Sequence, residues 1–494
     1  MTPDPQRPSR PNLLLITTDM QRYDTVGPDA PEVLRTPHLD QLTREGAIFE
    51  RAYAESPMCV PSRLSMMTGQ SVATHGVIGN TPSSEIIGRQ GTLPDLLRSA
   101  GYQTAGIGKM HFGPQRARHG FDETTIPDDY YRMMERQGDS GTQPMRHGIG
   151  QNEMYPARAT VHESRTLTAW IAEECVKYIR YRRDPTVPFF LWCSFSKPHP
   201  PLDPPEPYYS MYDADEMPRP VRGDWSTPEN CPPVFRVSQQ RSGYDTIPES
   251  IYLAARAAYF GLITHIDYVI GRIFTALQDI GEYDSTMMMF TSDHGEYLGD
   301  HGASSTMFFH EVSARVPMIL RLPKGSSPDI AGRRIDSLVT HADVLETFVT
   351  AAGSDAPPTD GRDLVAVARG EIESRPYIVG TTGLFPNRAP QPPYLAITDA
   401  RYKYIWYPEG GVEQFFDLQS DPTELTDLSV DASVAEAKSE LRRLLIADVR
   451  ERRPEWLADG ELAYYAPLDE PLSEVHRAGW PGYIGELSEQ DTRH

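Results

Sequence analysis

The stretch NLLLITTD, Asn12 to Asp19, decides the class of this chain. It is a short run, apolar on successive residues rather than alternate ones, and it stops at a carboxylate. That is the pattern of a strand buried on both faces of a parallel sheet. Three later runs repeat the plan. YQTAGIGKMH (102–111) ends at Lys109 and His111, FFLWCSFSKPH (189–199) at Lys197 and His199, and TMMMFTSDH (286–294) at Asp293 and His294. Between them lie TPHLDQLTREGA (36–47), TLPDLLRSAG (92–101), SRTLTAWIAEECVKYIRYR (164–182) and a long segment over 249–281, all with apolar residues at helical spacing. Alternating strand and helix implies an α/β fold, a large, mostly parallel sheet sandwiched by helices. Ligands of such sheets bind beyond the carboxyl ends of the strands, where all four ionisable clusters fall.

The segment from about 190 to 235 is dense in proline and reads as irregular surface structure of the kind that carries function. After about Leu364 the character changes. RPYIVGTT, PYLAITD, RYKYIWYPEG and EQFFDLQ read as short strands, and VAEAKSELRRLLIADVRERR (434–453) as an amphipathic helix. The expected organisation is a catalytic domain over 1–365, a smaller antiparallel subdomain over 366–455 and an extension over 456–494. The aromatic extension is expected to wrap the surface or an oligomer interface.

The 494 residues carry 47 Lys+Arg against 69 Asp+Glu, a formal net charge of −22. Nucleic acid and anionic membranes both demand a basic footprint, so neither is an expected partner. A long polyanionic substrate is disfavoured for the same reason. Cys59, Cys175, Cys193 and Cys231 make no paired Cys-x-x-Cys zinc pattern. Cys175 and Cys193 read as buried small hydrophobes. The proline-rich N-terminus, with no long uncharged apolar stretch after it, leads to a cytoplasmic expectation.

Asp19, Asp293 and His294 make a plausible divalent-cation site. Carboxylates suit calcium or magnesium, and imidazole pulls toward manganese or zinc. The plainer alternative is a pair of ordinary turns. Cys59 lies in CVPSRLSMMTG (59–69), where Pro61 is expected at the first position of a helix whose amides point at the cysteine. Lys109, His111 and His199 are candidate cationic or proton-moving groups. His75 and His301 have weaker claims.

CVPSRLSMMTG resembles the signature of the type I, formylglycine-dependent sulfatases of the alkaline phosphatase superfamily. GYQTAGIGKMH resembles their second signature, and FTSDHGEYLGDHG with FFHEVSARVPMILR their late metal motif and the strand after it. The lead-in TPHLDQLTREGAIFERAYAESPMC and the C-terminal RYKYIWYP and EQFFDLQSDPTELTDL extend the likeness over nearly the whole chain. The resemblance implies a sulfuric ester hydrolase. Cys59, matured to formylglycine by a formylglycine-generating enzyme, would attack sulfur as the aldehyde hydrate and then expel sulfate. Asp19, Asp293, His294 and position 59 would hold one divalent cation, calcium first, with manganese or zinc as alternatives. Arg63 and Lys109 would stabilise the anionic transition state. His111 would act as base and His199 as acid. Lys109, His199, Thr306 and His310 would contact a small aryl or sugar sulfate.

Two positions depart from the pattern. Met20 stands where the family carries a metal-ligating carboxylate or amide, and Gln21 is the candidate substitute. Thr306 in GASSTMFFHE stands where the family carries a sulfate-binding lysine, with His310 as its candidate replacement. Two competitors follow: a phosphonate monoester or phosphodiester hydrolase with the same machinery, and, from another class, a weakened anion-binding protein.

Overall fold

A computed structural model describes residues 10–81, 91–138, 154–227, 229–241, 243–326, 330–383 and 392–467. Its main sheet is formed by β1 (Asn12–Asp19), β2 (Ala47–Tyr53), β3 (Gln103–Gly108), β4 (Glu123–Thr125), β5 (Phe189–Pro198), β6 (Thr286–Ser292), β7 (Met318–Arg321) and β8 (Arg333–Thr340), in the order β4-β3-β5-β1-β6-β7-β2-β8. Only β7 runs antiparallel to its neighbours, so the sheet is mixed and mostly parallel, as the apolar runs predict.

The two-sided burial is explicit. Along β1, Leu13 and Leu15 enter one hydrophobic core while Leu14 and Ile16 enter the other. Met287 and Met289 of β6, and Phe190 and Trp192 of β5, join the first face. Met288, Phe290, Leu191 and Cys193 join the second. Successive strand side chains point to opposite faces, so a strand covered on both must be apolar throughout. Each such side chain contributes roughly 1.5–3 kcal/mol by leaving water.

The helices used below are α1 (Pro37–Glu45), α2 (Cys59–Thr68), α3 (Leu93–Ser99), α4 (Pro127–Arg136), α5 (Leu167–Lys177), α6 (Glu249–Asp279), α7 (Asp343–Ala351) and α8 (Ala435–Arg452). α2, α3 and α7 cover the first face, and α1, α5 and α6 the second. By composition α6 is apolar enough to cross a bilayer, but 83% of its most apolar window is packed inside the protein.

A second sheet of β9 (Ile378–Gly380), β10 (Leu395–Thr398), β11 (Tyr402–Tyr407) and β12 (Val412–Asp417) is antiparallel throughout. One face packs on α8 through Leu441, Leu445 and Val449. The other sends Ala396, Ile405 and Phe416 against Trp225, Phe235 and Phe309 of the larger unit. The short helix Leu364–Arg369 straddles the expected boundary at 365 and buries Leu364 and Val367 in the main core. Beyond residue 467 the expected C-terminal wrapping segment lies outside the described residues.

Candidate active site

Four strand ends and one helix start build the site. β1 ends at Asp19, β3 delivers Lys109 and His111, β5 leads to His199, and β6 leads to Asp293 and His294. Gly108 is required at its position. It sits at φ 104°, and a Cβ there would lie 1.9 Å from the Ser194 carbonyl oxygen. That close approach of β3 to β5 sets where Lys109 emerges.

α2 begins at Cys59 itself, after the extended Met58, so Pro61 is its third residue rather than its first. Proline is tolerated there because the first amides of a helix have no intrahelical acceptor. All ten residues of α2 are buried, and Arg63 is fully so. A buried guanidinium must be paired. Its Nε and Nη2 each lie 2.9 Å from Asp293 Oδ2, Nη1 donates to Ser194 Oγ at 2.8 Å and to the Lys109 carbonyl, and Nη2 lies 3.8 Å from Asp19 Oδ2.

Ligand atoms of Asp19, Cys59, Asp293 and His294 all lie within 4.8 Å of one another, and all four residues are buried. His294 Nε2 is 3.4 Å from Cys59 Sγ, 3.7 Å from Asp293 Oδ1 and 3.9 Å from Asp19 Oδ1. Its Nδ1–H donates to the Gly295 carbonyl at 3.1 Å, which turns Nε2 toward the cluster, the usual arrangement of a metal-ligating histidine. Lys109 Nζ pairs with Asp19 Oδ2 and lies 3.6 Å from Sγ.

The electrostatics follow from this packing. Burial alone would raise the Asp19 pKa, but Lys109, His199, Arg63 and His294 together hold it far below the usual carboxylate range. Burial likewise opposes the charge on His294, yet Asp293 and Cys59 raise its pKa to about 10. The cluster demands positive charge at Nε2. Two carboxylates, one imidazole and the position 59 side chain, converging in a buried site, fit a divalent cation that would displace that proton.

His199 and His111 have the opposite problem. Burial brings His199 down to about 4, and its Nδ1–H donates to the Pro200 carbonyl at 2.6 Å. His111, at φ 62°, opens to the cavity but is crowded by protein; burial, with Lys109 and Arg63, holds its pKa well below normal. Both shifts favour the neutral ring. Lys109, His111 and His199 line one end of a cavity of about 460 Å³.

Met20 and Gln21 are both buried. Met20 faces the site through its backbone, its N–H donating to Asp293 Oδ1 at 3.2 Å and its carbonyl accepting from the Tyr259 hydroxyl at 2.6 Å. Its φ of 65° is a left-handed conformation that Asp or Asn adopts more readily than Met. Gln21 donates its N–H to Ser292 Oγ and its Nε2–H to Thr25 Oγ1, and its buried Oε1 has no hydrogen-bond partner among the described residues.

Two sequence-predicted substrate contacts are placed elsewhere. His310 is fully buried, stacked on Trp225 at 4.4 Å, with Nδ1 held by the Tyr297 hydroxyl and Nε2 by Gln414 Oε1. It is committed to the joint between the two sheets, because an aromatic pocket with two polar partners satisfies both ring nitrogens. Thr306 spends its hydroxyl on the Pro57 carbonyl at 2.7 Å and on Ser313 Oγ at 2.9 Å, supporting the loop before Cys59. His75 is structural, bonded to Ser65 Oγ. All four cysteines are free and buried.

Sequence reasoning missed three supports. Asn80 Oδ1 accepts the Val60 amide at the start of α2. Ser292 Oγ accepts the Gln21 N–H and donates to the His294 carbonyl. His341, just past β8, donates Nε2–H to the Ser292 carbonyl at 2.9 Å. Each lies far along the chain from its partner or in an unremarkable context, so no local pattern announces it.

Known proteins resemble this chain over most of its length. The sulfatase family model matches residues 11–354, and the C-terminal model of N-sulphoglucosamine sulphohydrolase matches 299–451. An arylsulfatase of Clostridium perfringens is 32% identical over 91% of this chain and 96% of its own. A choline-sulfatase of Rhizobium meliloti is 30% identical over 85% and 82%. The phosphonate monoester hydrolase of Agrobacterium radiobacter superposes with a TM-score of 0.77 at 25% identity, covering 90% of this chain and 96% of that one.

Proposed function

Because this chain belongs to the sulfatase family and hydrolyses sulfate esters, we propose that it does so with a formylglycine made from Cys59 beside one divalent cation, calcium first, held by Asp19, Asp293 and His294. The observation that carries the reading is the buried convergence of those four residues. When bound, the cation would acidify the aldehyde hydrate and draw charge from the sulfate oxygens.

The chain's own groups do the rest. Arg63 orients Asp293 and Lys109 pairs with Asp19, which restrains both ligand carboxylates. Lys109, 3.6 Å from Sγ, places a positive charge where the sulfate negative charge grows. His111, neutral, accepts a proton from position 59. His199 keeps its Nδ1 proton on Pro200, so Nε2 is its proton-moving atom. An anion arriving beside it raises its pKa and supplies the protonated form, which donates from Nε2 to the leaving oxygen. Maturation by a formylglycine-generating enzyme in the cytoplasm belongs to the same reading.

The fold similarity to a phosphonate monoester hydrolase supports a second reading, hydrolysis of phosphonate monoesters at the same site. One experiment addresses both. Protein shown by peptide mass spectrometry to carry formylglycine at position 59 is assayed with aryl sulfate, aryl phosphonate and phosphodiester. The highest kcat/KM is expected for the sulfate. A higher value for the phosphonate would transfer the assignment to the second reading, and background rates on all three would end both.

A further inference from the structure

The cavity that opens beside Lys109 and His199 has two kinds of wall. Met110, Ile126, Val161, Leu167 and Leu262, with the Pro200–Pro201 pair, make the apolar part. The charged part is already neutralised by the chain itself. Lys197 pairs with Asp203 Oδ1 at 2.5 Å. His265 Nε2 sits 3.1 Å from Glu163 Oε1. Asp128 pairs with Arg116 and, at 3.1 Å, with Arg132. Lys109 is engaged by Asp19 and stands where the reacting sulfate belongs. Among the described lining residues, every lysine and every carboxylate therefore has an opposite charge from the same chain.

A second sulfate or a carboxylate on the substrate would enter this cavity with no unpaired lysine among the described lining residues to meet it. Its desolvation would go uncompensated. A sugar's ring hydroxyls would find partners only where Gln115, Tyr131, Thr166, Thr168 and Ser196 line the cavity, and against the apolar wall their hydrogen bonds would go unmade. An uncharged, apolar alcohol loses nothing and buries its surface. We infer that this cavity receives the alcohol half of a monosulfated ester whose alcohol is uncharged and mainly apolar, and that it discriminates against sugars carrying a second anionic group. The inference rests on the sulfatase reading and narrows it. It adds a specificity position, Val161, half-buried in the apolar wall.

Binding tests it independently of turnover. Cys59→Ala protein is titrated calorimetrically with phenyl sulfate, glucosamine 6-sulfate and glucosamine 2-N,6-O-disulfate. Phenyl sulfate is expected to bind tightest and the disulfate at least ~10-fold more weakly, the factor that about 1.4 kcal/mol of uncompensated desolvation produces. In a Cys59→Ala/Val161→Lys protein the added cation is expected to shrink that ratio at least several-fold. Equal affinities, including none detectable for any ligand, or tighter binding of the disulfate, would overturn the inference. A folded double variant with an unchanged ratio would remove Val161 from it. Absence of sulfatase turnover in formylglycine-verified protein, with the binding order preserved, would instead overturn the catalytic reading and leave the cavity assignment standing.

Discussion

His199 and His341 both serve the site through a single proton, but at opposite ends of it. His199 holds one nitrogen on Pro200, and in the proposed mechanism the other transfers the proton. Its removal is expected to lower kcat/KM by about 10²–10⁴ for esters of basic alcohols and much less for activated aryl sulfates, because an acid matters most when the departing oxygen is basic. A leaving-group series on His199→Ala checks this; equal losses along the series would make His199 a binding residue. His341 touches neither substrate nor ligand atom. It fixes the Ser292 carbonyl, and Ser292 in turn fixes the turn that presents Asp293 and His294. His341→Leu is expected to weaken calcium binding about 10–100-fold, the usual effect of losing a group that orients a ligand. His341→Gln, which can still donate a hydrogen bond, should recover most of it. Metal titration of the two variants decides the matter, since a merely structural role would not separate them.

At the scale of elements, the joint between the two sheets rests on buried charge and buried neutral histidine. Lys403 of β11 is fully buried and bonds Glu311 Oε1 and Glu424 Oε1, each at 2.7 Å. Lys403→Met strands two carboxylates in the interior, and a loss of about 3–5 kcal/mol is expected in denaturant unfolding. A loss under 1 kcal/mol would show that water reaches the pair. In this joint His310 stacks on Trp225, and His301 meets the same side chain at a tilt. Burial brings His301 to about 4 and His310 well below its ordinary value. Both folded pKa values lie below the unfolded value near 6.5. Their contribution is therefore present above pH 6.5 and is lost as pH falls from there toward 4, where the unfolded chain binds protons that the folded chain refuses. His310→Gln keeps a polar partner for Tyr297 without titrating. The drop in Tm between pH 7.5 and pH 5 should be smaller in that variant than in the parent, and an equal drop would place the acid sensitivity elsewhere.

At the scale of the whole molecule, the proposed cation would couple to stability. Asp19 and Asp293 converge from two strands, and an ion that binds only the folded arrangement stabilises it by mass action, about 2.7 kcal/mol at a hundred times Kd. Chelator-treated protein is expected to unfold at a lower temperature than protein in excess calcium, with the difference restored on adding the ion back. Scanning calorimetry with and without chelator measures it, and an unchanged Tm would remove calcium from the reading. The sequence by itself determined the sheet, because strands covered on both faces are apolar on successive positions, as residues 13–16 and 287–290 are. It also determined the cluster of Asp19, Cys59, Asp293 and His294, because those residues stand at or just beyond strand ends, or at the helix start, and keep recognisable neighbours. Only the tertiary structure decided the fates of Thr306 and His310, which sit in the same motif yet turn away from the site. It alone revealed His341, Ser292 and Asn80 as supports, and it alone showed that the cavity charges cancel. The physical reason is that strand burial and ligand chemistry are written locally, whereas hydrogen bonds such as His341 to Ser292 and pairs such as His265 to Glu163 join residues 49 and 102 positions apart, and exist only once the chain has folded.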